Sequence, residues 1–233
     1  ETPDYLDAAF ALRAAAVETE MGSRPNRAKS NYKGLFQFNC KQSDQHLLGY
    51  ITPILAALNA VKGDIPVLQE YPAVTKEMLC KDNGDNPIYT DTLVQTVMFM
   101  EVAAIHDVEL RKLGNYDSLS RQEKQAAAYL YHNLPLFGKK VVKNYTCDRP
   151  LRALITGHDT EFKNNEKVYN KGEPNPAEIL ARYANGTAPY LKRFQENPRA
   201  EDIQPQKTHR WGHSGFMAYA IGKVSNALRC RPA

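Results

Sequence analysis

The chain has 233 residues, 42% of them hydrophobic, the balance of one compact domain of generous size or of one domain with long insertions; no repeat or low-complexity tract interrupts it. A formal net charge of +4 suits an anionic polymer as partner but is too small to argue for nucleic acid, and Lys139-Lys140 and Lys143 beside Tyr145 read as a solvated loop. The most apolar helical stretch, Leu93 to Ile105, is too short and too interrupted for a membrane span.

The predicted elements are mainly helices. The chain opens Glu1-Thr2-Pro3-Asp4 and becomes amphipathic at once, without the charged, apolar and small-residue regions of a secretory signal; this fits a processed fragment or the terminal module of a larger delivered protein. From Tyr5 to Val17, the residues Leu6, Ala9, Phe10, Ala14 and Val17 recur at helical spacing, so a first helix should bury that face and end near Gly22, with Pro25 beyond. Glu18 and Glu20 then occupy its last turn, where the helix dipole favours cations and a carboxylate gains nothing. A second helix is expected over Leu47 to Val61, interrupted near Pro53, and a shorter one over Val67 to Leu79. Asn83-Gly84-Asp85-Asn86-Pro87 is a turn.

Thr90 to Leu113 forms a long helix, apolar nearly all round in its middle and therefore a buried central helix, with Glu101 embedded in it. Ser120 and Glu123 make a capping box for a helix that runs through Tyr129-Leu130-Tyr131-His132-Asn133. Cys147 to Lys171 is polar and reads as a long surface excursion. Pro176 opens a helix that passes through Tyr183 to Asn185-Gly186, and Phe216 to Leu228 forms another.

Cys40, Cys80, Cys147 and Cys230 form no Cys-x-x-Cys pair, which argues against a zinc ribbon or a thioredoxin-like redox site. Two disulfides, in any of three connectivities, and buried free thiols are both open. His209 and His213 are spaced to share a helix face as metal ligands, but Gly212 lies between them and no Glu adjoins, so a turn is the favoured reading. No metal or other cofactor is expected.

Glu18-Thr19-Glu20-Met21, then Pro25, Ala28, Ser30 and Gly34-Leu35-Phe36-Gln37, resemble the signature of soluble lytic transglycosylases and phage-type lysozymes. That signature is a catalytic Glu followed by Ser or Thr, an apolar residue, Asn-Pro, a Ser, and Gly-Leu-Met-Gln. The resemblance extends to about Cys40. The connection from Glu18 to Pro25 is longer than the family's, and Asn31-Tyr32-Lys33 replaces a Gly-Ala pair. Register counted back from Pro25 makes Glu20 the catalytic match; the order acid, hydroxyl, any, apolar makes it Glu18, which is preferred. Either half alone would be ordinary, a solvated glutamate at a helix end or a turn entering a buried segment. It is their order and spacing together that carry the resemblance.

What the resemblance implies is a mainly α, lysozyme-like single domain over residues 1–233, with the central helix behind a substrate cleft. The implied activity is cleavage of the peptidoglycan glycan strand between N-acetylmuramic acid and N-acetylglucosamine. The chemistry needs an acid that stays protonated near neutral pH, which a carboxyl group between an apolar helix and a cleft achieves through desolvation. Glu18 or Glu20 would supply it, and Ser30, Gly34 and Gln37 would shape and hydrogen-bond the sugar subsites. Tyr131 and His132 resemble a cleft-lining segment of phage-type wall lysozymes. Ala181-Arg182-Tyr183-Ala184-Asn185-Gly186 is similar to an Ala-Tyr-Asn-Ala-Gly segment in which a tyrosine, here Tyr183, orients the acid.

A hydrolase also wants a second carboxylate, for which Asp44 is nearest in sequence. Glu101 is a further carboxylate candidate, but it reads instead as making a buried structural hydrogen bond or lying on an exposed stripe, and Trp211 reads as a core or sugar-site residue. The expected partners are peptidoglycan and, for a delivered enzyme, an immunity or delivery protein, with neither nucleic acid nor membrane. The expected compartment is the periplasm or the exterior, where disulfides form. Two rivals remain: a wall peptidase or amidase using Cys40, or a zinc site around His158, Asp159, His209 and His213; and a wall-binding module without catalysis.

Overall fold

A computed structural model describes residues 3–19, 32–41, 45–133 and 142–160 of the chain. These are mainly helical and fall into two compact units, 3–102 and 103–160, the division lying inside one continuous helix. The expected helices beyond Pro176, together with Glu20, Ser30, Asp44, Tyr183, His209, Trp211, His213 and Cys230, lie outside the described residues.

In the first unit, α1 spans Ala8–Thr19, starting at Ala8 and not at Tyr5, while the expected end near Gly22 lies outside the described residues. Its start is set by Asp7, whose carboxylate accepts the Phe10 N–H at 2.8 Å, while Tyr5 and Leu6 pack as buried residues ahead of the helix. The buried surface is wider than the predicted stripe. Phe10, Ala11, Leu12, Ala14, Ala15 and Ala16 are all buried, whereas Ala9 is exposed and Val17 half-buried. Alanines leave room for close packing on more than one face, so apolar spacing alone understates how much of such a helix is covered.

A hairpin follows, with β1 (Tyr32–Lys33) antiparallel to β2 (Phe38–Asn39) and Tyr32 opposite Asn39. Next come α2 (Gln45–Leu48) and α3 (Ile51–Val61). The break expected at Pro53 falls at Gly49-Tyr50. Pro53 sits in the first turn of α3, where its missing N–H has no intrahelical partner to lose.

The helix expected over Val67 to Leu79 is also divided. A single 3-10 turn at Pro66–Leu68 is followed by non-helical chain as far as Thr75, and then by α4 (Lys76–Cys80). Pro72 lacks an N–H and disfavours helical geometry at Tyr71, which explains the interruption. The Asn59 side chain takes over from the lost backbone bonds: its Nδ2 donates to the Val74 carbonyl at 3.0 Å, and its Oδ1 accepts the Val74 N–H at 2.9 Å. Asn86 does similar work at the next turn. Its Nδ2 donates to the Leu79 and Lys81 carbonyls, both at 2.9 Å, while its Oδ1 accepts the Tyr89 N–H at 2.8 Å and so opens α5 (Pro87–Thr90).

The long helix α6 spans Thr92–Leu110, started by Asp91, whose Oδ1 accepts the N–H groups of Leu93 at 2.8 Å and Val94 at 3.1 Å. Every side chain from Leu93 to Ala103 is buried. No helix among the described residues is long and apolar enough to cross a membrane.

The second unit holds the end of α6, α7 (Arg121–Asn133) and a short helix over Leu151–Ile155. The Ser120–Glu123 capping box is formed: the Ser120 N–H donates to Glu123 at 2.7 Å, and the Glu123 N–H to the Ser120 hydroxyl at 3.3 Å. Arg152 binds the same carboxylate at 2.9 Å and also donates to the Ser118 carbonyl. The segment after Cys147 is therefore not all surface excursion, because Leu151 and Leu154 are buried one helical turn apart. On α6, the buried Asp107 accepts the Tyr116 hydroxyl and the Arg111 Nε.

Cys40 and Cys80 form a disulfide, which closes a loop with a sequence separation of 40. Chain entropy assigns such a closure about 4 kcal/mol. Cys40→Ser should lower the free energy of unfolding by about that amount in urea titrations under non-reducing conditions; a change below about 1 kcal/mol would mean that the bond contributes no such constraint.

Burial acts to raise the Glu123 carboxyl, but the Ser120 backbone and hydroxyl hydrogen bonds and Arg152 outweigh it and hold the pKa below its usual value. A depressed carboxyl contributes stability that is present above the unfolded pKa and is lost as pH falls through the folded one. The stability gap between wild type and Glu123→Gln should accordingly be constant near neutrality and shrink as pH drops below about 4.3. Denaturation midpoints measured across that range would show it, and a gap that widens on acidification would contradict it.

Candidate functional site

The two halves of the sequence motif meet at the end of α1. The Thr19 hydroxyl shares its one proton between the Ala15 carbonyl one turn back, at 3.1 Å, and the Leu35 carbonyl in the hairpin turn, at 3.0 Å. Thr19 itself is 1% exposed. Its neighbour Glu18 is half-buried in the last turn of the helix.

The Gly34–Gln37 turn owes its shape to two left-handed residues, Gly34 at φ +75° and Gln37 at φ +53°. The Gln37 backbone N–H and side-chain Nε2 both donate to the Gly34 carbonyl, at 3.2 and 2.8 Å. The glutamine of Gly-Leu-Phe-Gln thus braces its own turn, which covers the cost of its unusual backbone. Phe36 between them is fully buried. Its ring lies parallel to Phe99 of α6 with centroids 4.2 Å apart, and Phe99 in turn stacks on Phe10 of α1 at 5.2 Å. Three distant stretches of sequence are held together by one aromatic column.

Sequence reasoning passed over the residue that seats this turn. Gln95 of α6 is fully buried, accepts the Phe36 N–H at 3.2 Å, and donates to the Tyr89 carbonyl at 2.9 Å. A Cβ added to Gly34 would lie 2.4 Å from the Gln95 carboxamide carbon. The available signal was an amide inside an otherwise apolar helical run, since a buried amide needs backbone partners. On the outer side, Lys33 pairs with Asp85 at 3.0 Å, and Cys40, one residue past β2, is bonded to Cys80.

Glu101 is fully buried in α6. Tyr131 and His132 belong to the second unit and are both buried, Tyr131 against the His106 ring at a centroid distance of 4.3 Å. Of the rival sites, Cys40 carries no free thiol because it is disulfide-bonded. His158 is exposed, and Asp159 lies 3.7 Å from Arg149. Among the described residues no group of three or more His, Cys, Asp or Glu side chains could hold a metal ion.

No protein-family model, curated protein or solved structure matches the chain.

Gly34→Ala should therefore destabilise the protein by about 2 kcal/mol or more, because it combines a left-handed backbone with displacement of a buried, hydrogen-bonded amide. Gly63→Ala is the matched control, with nothing within 4 Å of an added Cβ, and should change stability by less than about 1 kcal/mol. Equal effects of the two substitutions in thermal melts would show that the turn is not held as described.

Proposed function

We propose that this chain cleaves the glycan strand of peptidoglycan between N-acetylmuramic acid and N-acetylglucosamine, using a lysozyme-like cleft with Glu18 at its edge. The observation that carries this reading is the Thr19–Leu35 hydrogen bond. It joins the acid-hydroxyl pair to the Gly-Leu-x-Gln turn, two motifs separated by a long and atypical connection in sequence. Neither half would need the other if each were an ordinary helix end or an ordinary turn.

Glu18 protonates the leaving glycosidic oxygen, and the Gly34–Gln37 turn forms the adjoining wall of the sugar site, to which Ser30 contributes. Water as the attacking group makes the enzyme a muramidase, with Asp44 as the nearest second carboxylate; the muramyl 6-hydroxyl makes it a lytic transglycosylase. The Cys40–Cys80 disulfide supports work in an oxidising compartment, the periplasm or the exterior. An immunity or delivery protein is the accompanying partner proposed for a delivered enzyme.

Mass spectrometry of purified peptidoglycan after digestion tests the bond that is cut. Reducing or anhydro-muramyl ends are expected, and free peptides without glycan cleavage would replace this reading with a peptidase or amidase. Glu18→Gln should abolish release while the melting temperature stays within a few degrees, and Glu20→Gln should leave most of the activity. The reverse result would move the acid to Glu20, and full activity in both variants would remove the site from this helix end.

A further inference from the structure

The Gln95 carboxamide is one planar group serving three neighbours. Its oxygen accepts the Phe36 N–H, its nitrogen donates to the Tyr89 carbonyl, and its carbon stands where a side chain at residue 34 would be. The turn, α5 and α6 are thereby locked through a donor and an acceptor at fixed separation. We infer that Gln95 is a positioning residue for the glycan-strand cleavage proposed above: it fixes the Gly34–Gln37 turn against α6, and so places the wall of the sugar site beside Glu18 without itself touching substrate. The role rests on that reading of the reaction.

Chemistry narrows what can stand at residue 95. Methionine fills a similar volume but makes neither the bond from the Phe36 N–H nor the bond to the Tyr89 carbonyl. A carboxylate keeps the acceptor for Phe36 and turns a second negative oxygen toward the Tyr89 carbonyl. A protonated carboxylic acid restores both bonds, its C=O accepting from Phe36 and its O–H donating to Tyr89. In Gln95→Glu the buried carboxyl is satisfied in its neutral form, so its folded pKa lies above the unfolded one. The wild-type geometry is then fully present below about pH 4.3 and is lost as pH rises through the raised value.

The test compares full-length wild type, Gln95→Glu and Gln95→Met from about pH 4 to about pH 7.5, reading turnover on purified peptidoglycan and hydrogen-exchange protection of the Phe36 amide. Each variant is scaled to wild type at the same pH, and a melt at each pH shows which samples are folded. Near neutrality, Gln95→Glu should turn over about tenfold or more slowly than wild type, with Phe36 deprotected. On acidification both quantities should recover together, while Gln95→Met stays slow throughout.

If Gln95→Glu unfolds near neutrality, the acid range alone decides: a wild-type rate for Gln95→Glu with a slow Gln95→Met supports the role. Equal rates for the two variants there overturn it, as does a Gln95→Glu rate ratio that stays flat while Phe36 protection recovers. A wild-type protein that releases no glycan fragments at any pH overturns the glycan-strand reading and this role with it. That failure is distinct, because the Phe36 exchange profile still reports whether Gln95 holds the turn.

Discussion

A hairpin with two residues per strand cannot hold itself in water, so the geometry of residues 32–41 depends on what the segment docks against. The surface it meets is α6, through the Gln95 amide and the Phe36–Phe99 ring stack. Other features of the first unit follow from that docking. Gly34 has to be glycine because Gln95 fills the space beside it, and Phe10 of α1 reaches the same column through Phe99. Thr19 fastens the end of α1 to the turn, so the half-buried residue Glu18 adjoins a fixed stretch of backbone. For the glycan-strand cleavage proposed above such an anchor matters, because proton transfer depends on geometry before it depends on pKa.

The same residues show what was legible in the sequence. Strongly periodic or strongly capped elements were readable: the long apolar helix, the Ser120–Glu123 box, and a first helix that carries Glu18. Boundaries failed where a side chain overrode periodicity. Asp7 and Asp91 started helices later than the apolar pattern suggested, and Pro72 cut one that the pattern joined. Pro53 misled in the other direction, since a proline in a first turn costs a helix nothing.

At the candidate site, Gly34 and Gln37 were readable as turn residues because their chemistry is local. Gln95 and Thr19 were not, because a buried amide or hydroxyl declares its purpose only when a distant backbone group comes within hydrogen-bond range. The disulfide was undetermined for a related reason. Four widely spaced cysteines allow several pairings, and only the fold brings Cys40 and Cys80 together.

The covalent, ionic and hydrogen-bonded ties on the hairpin act on different states of the chain. The disulfide works mainly by restricting the unfolded chain, so losing it lowers global stability while the folded turn keeps its other partners. The Lys33–Asp85 pair has one partner more than half exposed and contributes at most about 1 kcal/mol. The Thr19 hydroxyl and the Gln95 amide are buried and act on the folded geometry, where a lost partner leaves a backbone group unpaired in a dry environment. A reducing environment thus weakens the fold through Cys40 and Cys80 while the folded turn keeps its other partners, whereas a substitution at Gln95 or Thr19 lowers stability and also shifts the turn. A loss of Phe36 protection larger than the loss of global stability accounts for distinguishes the second kind of change from the first.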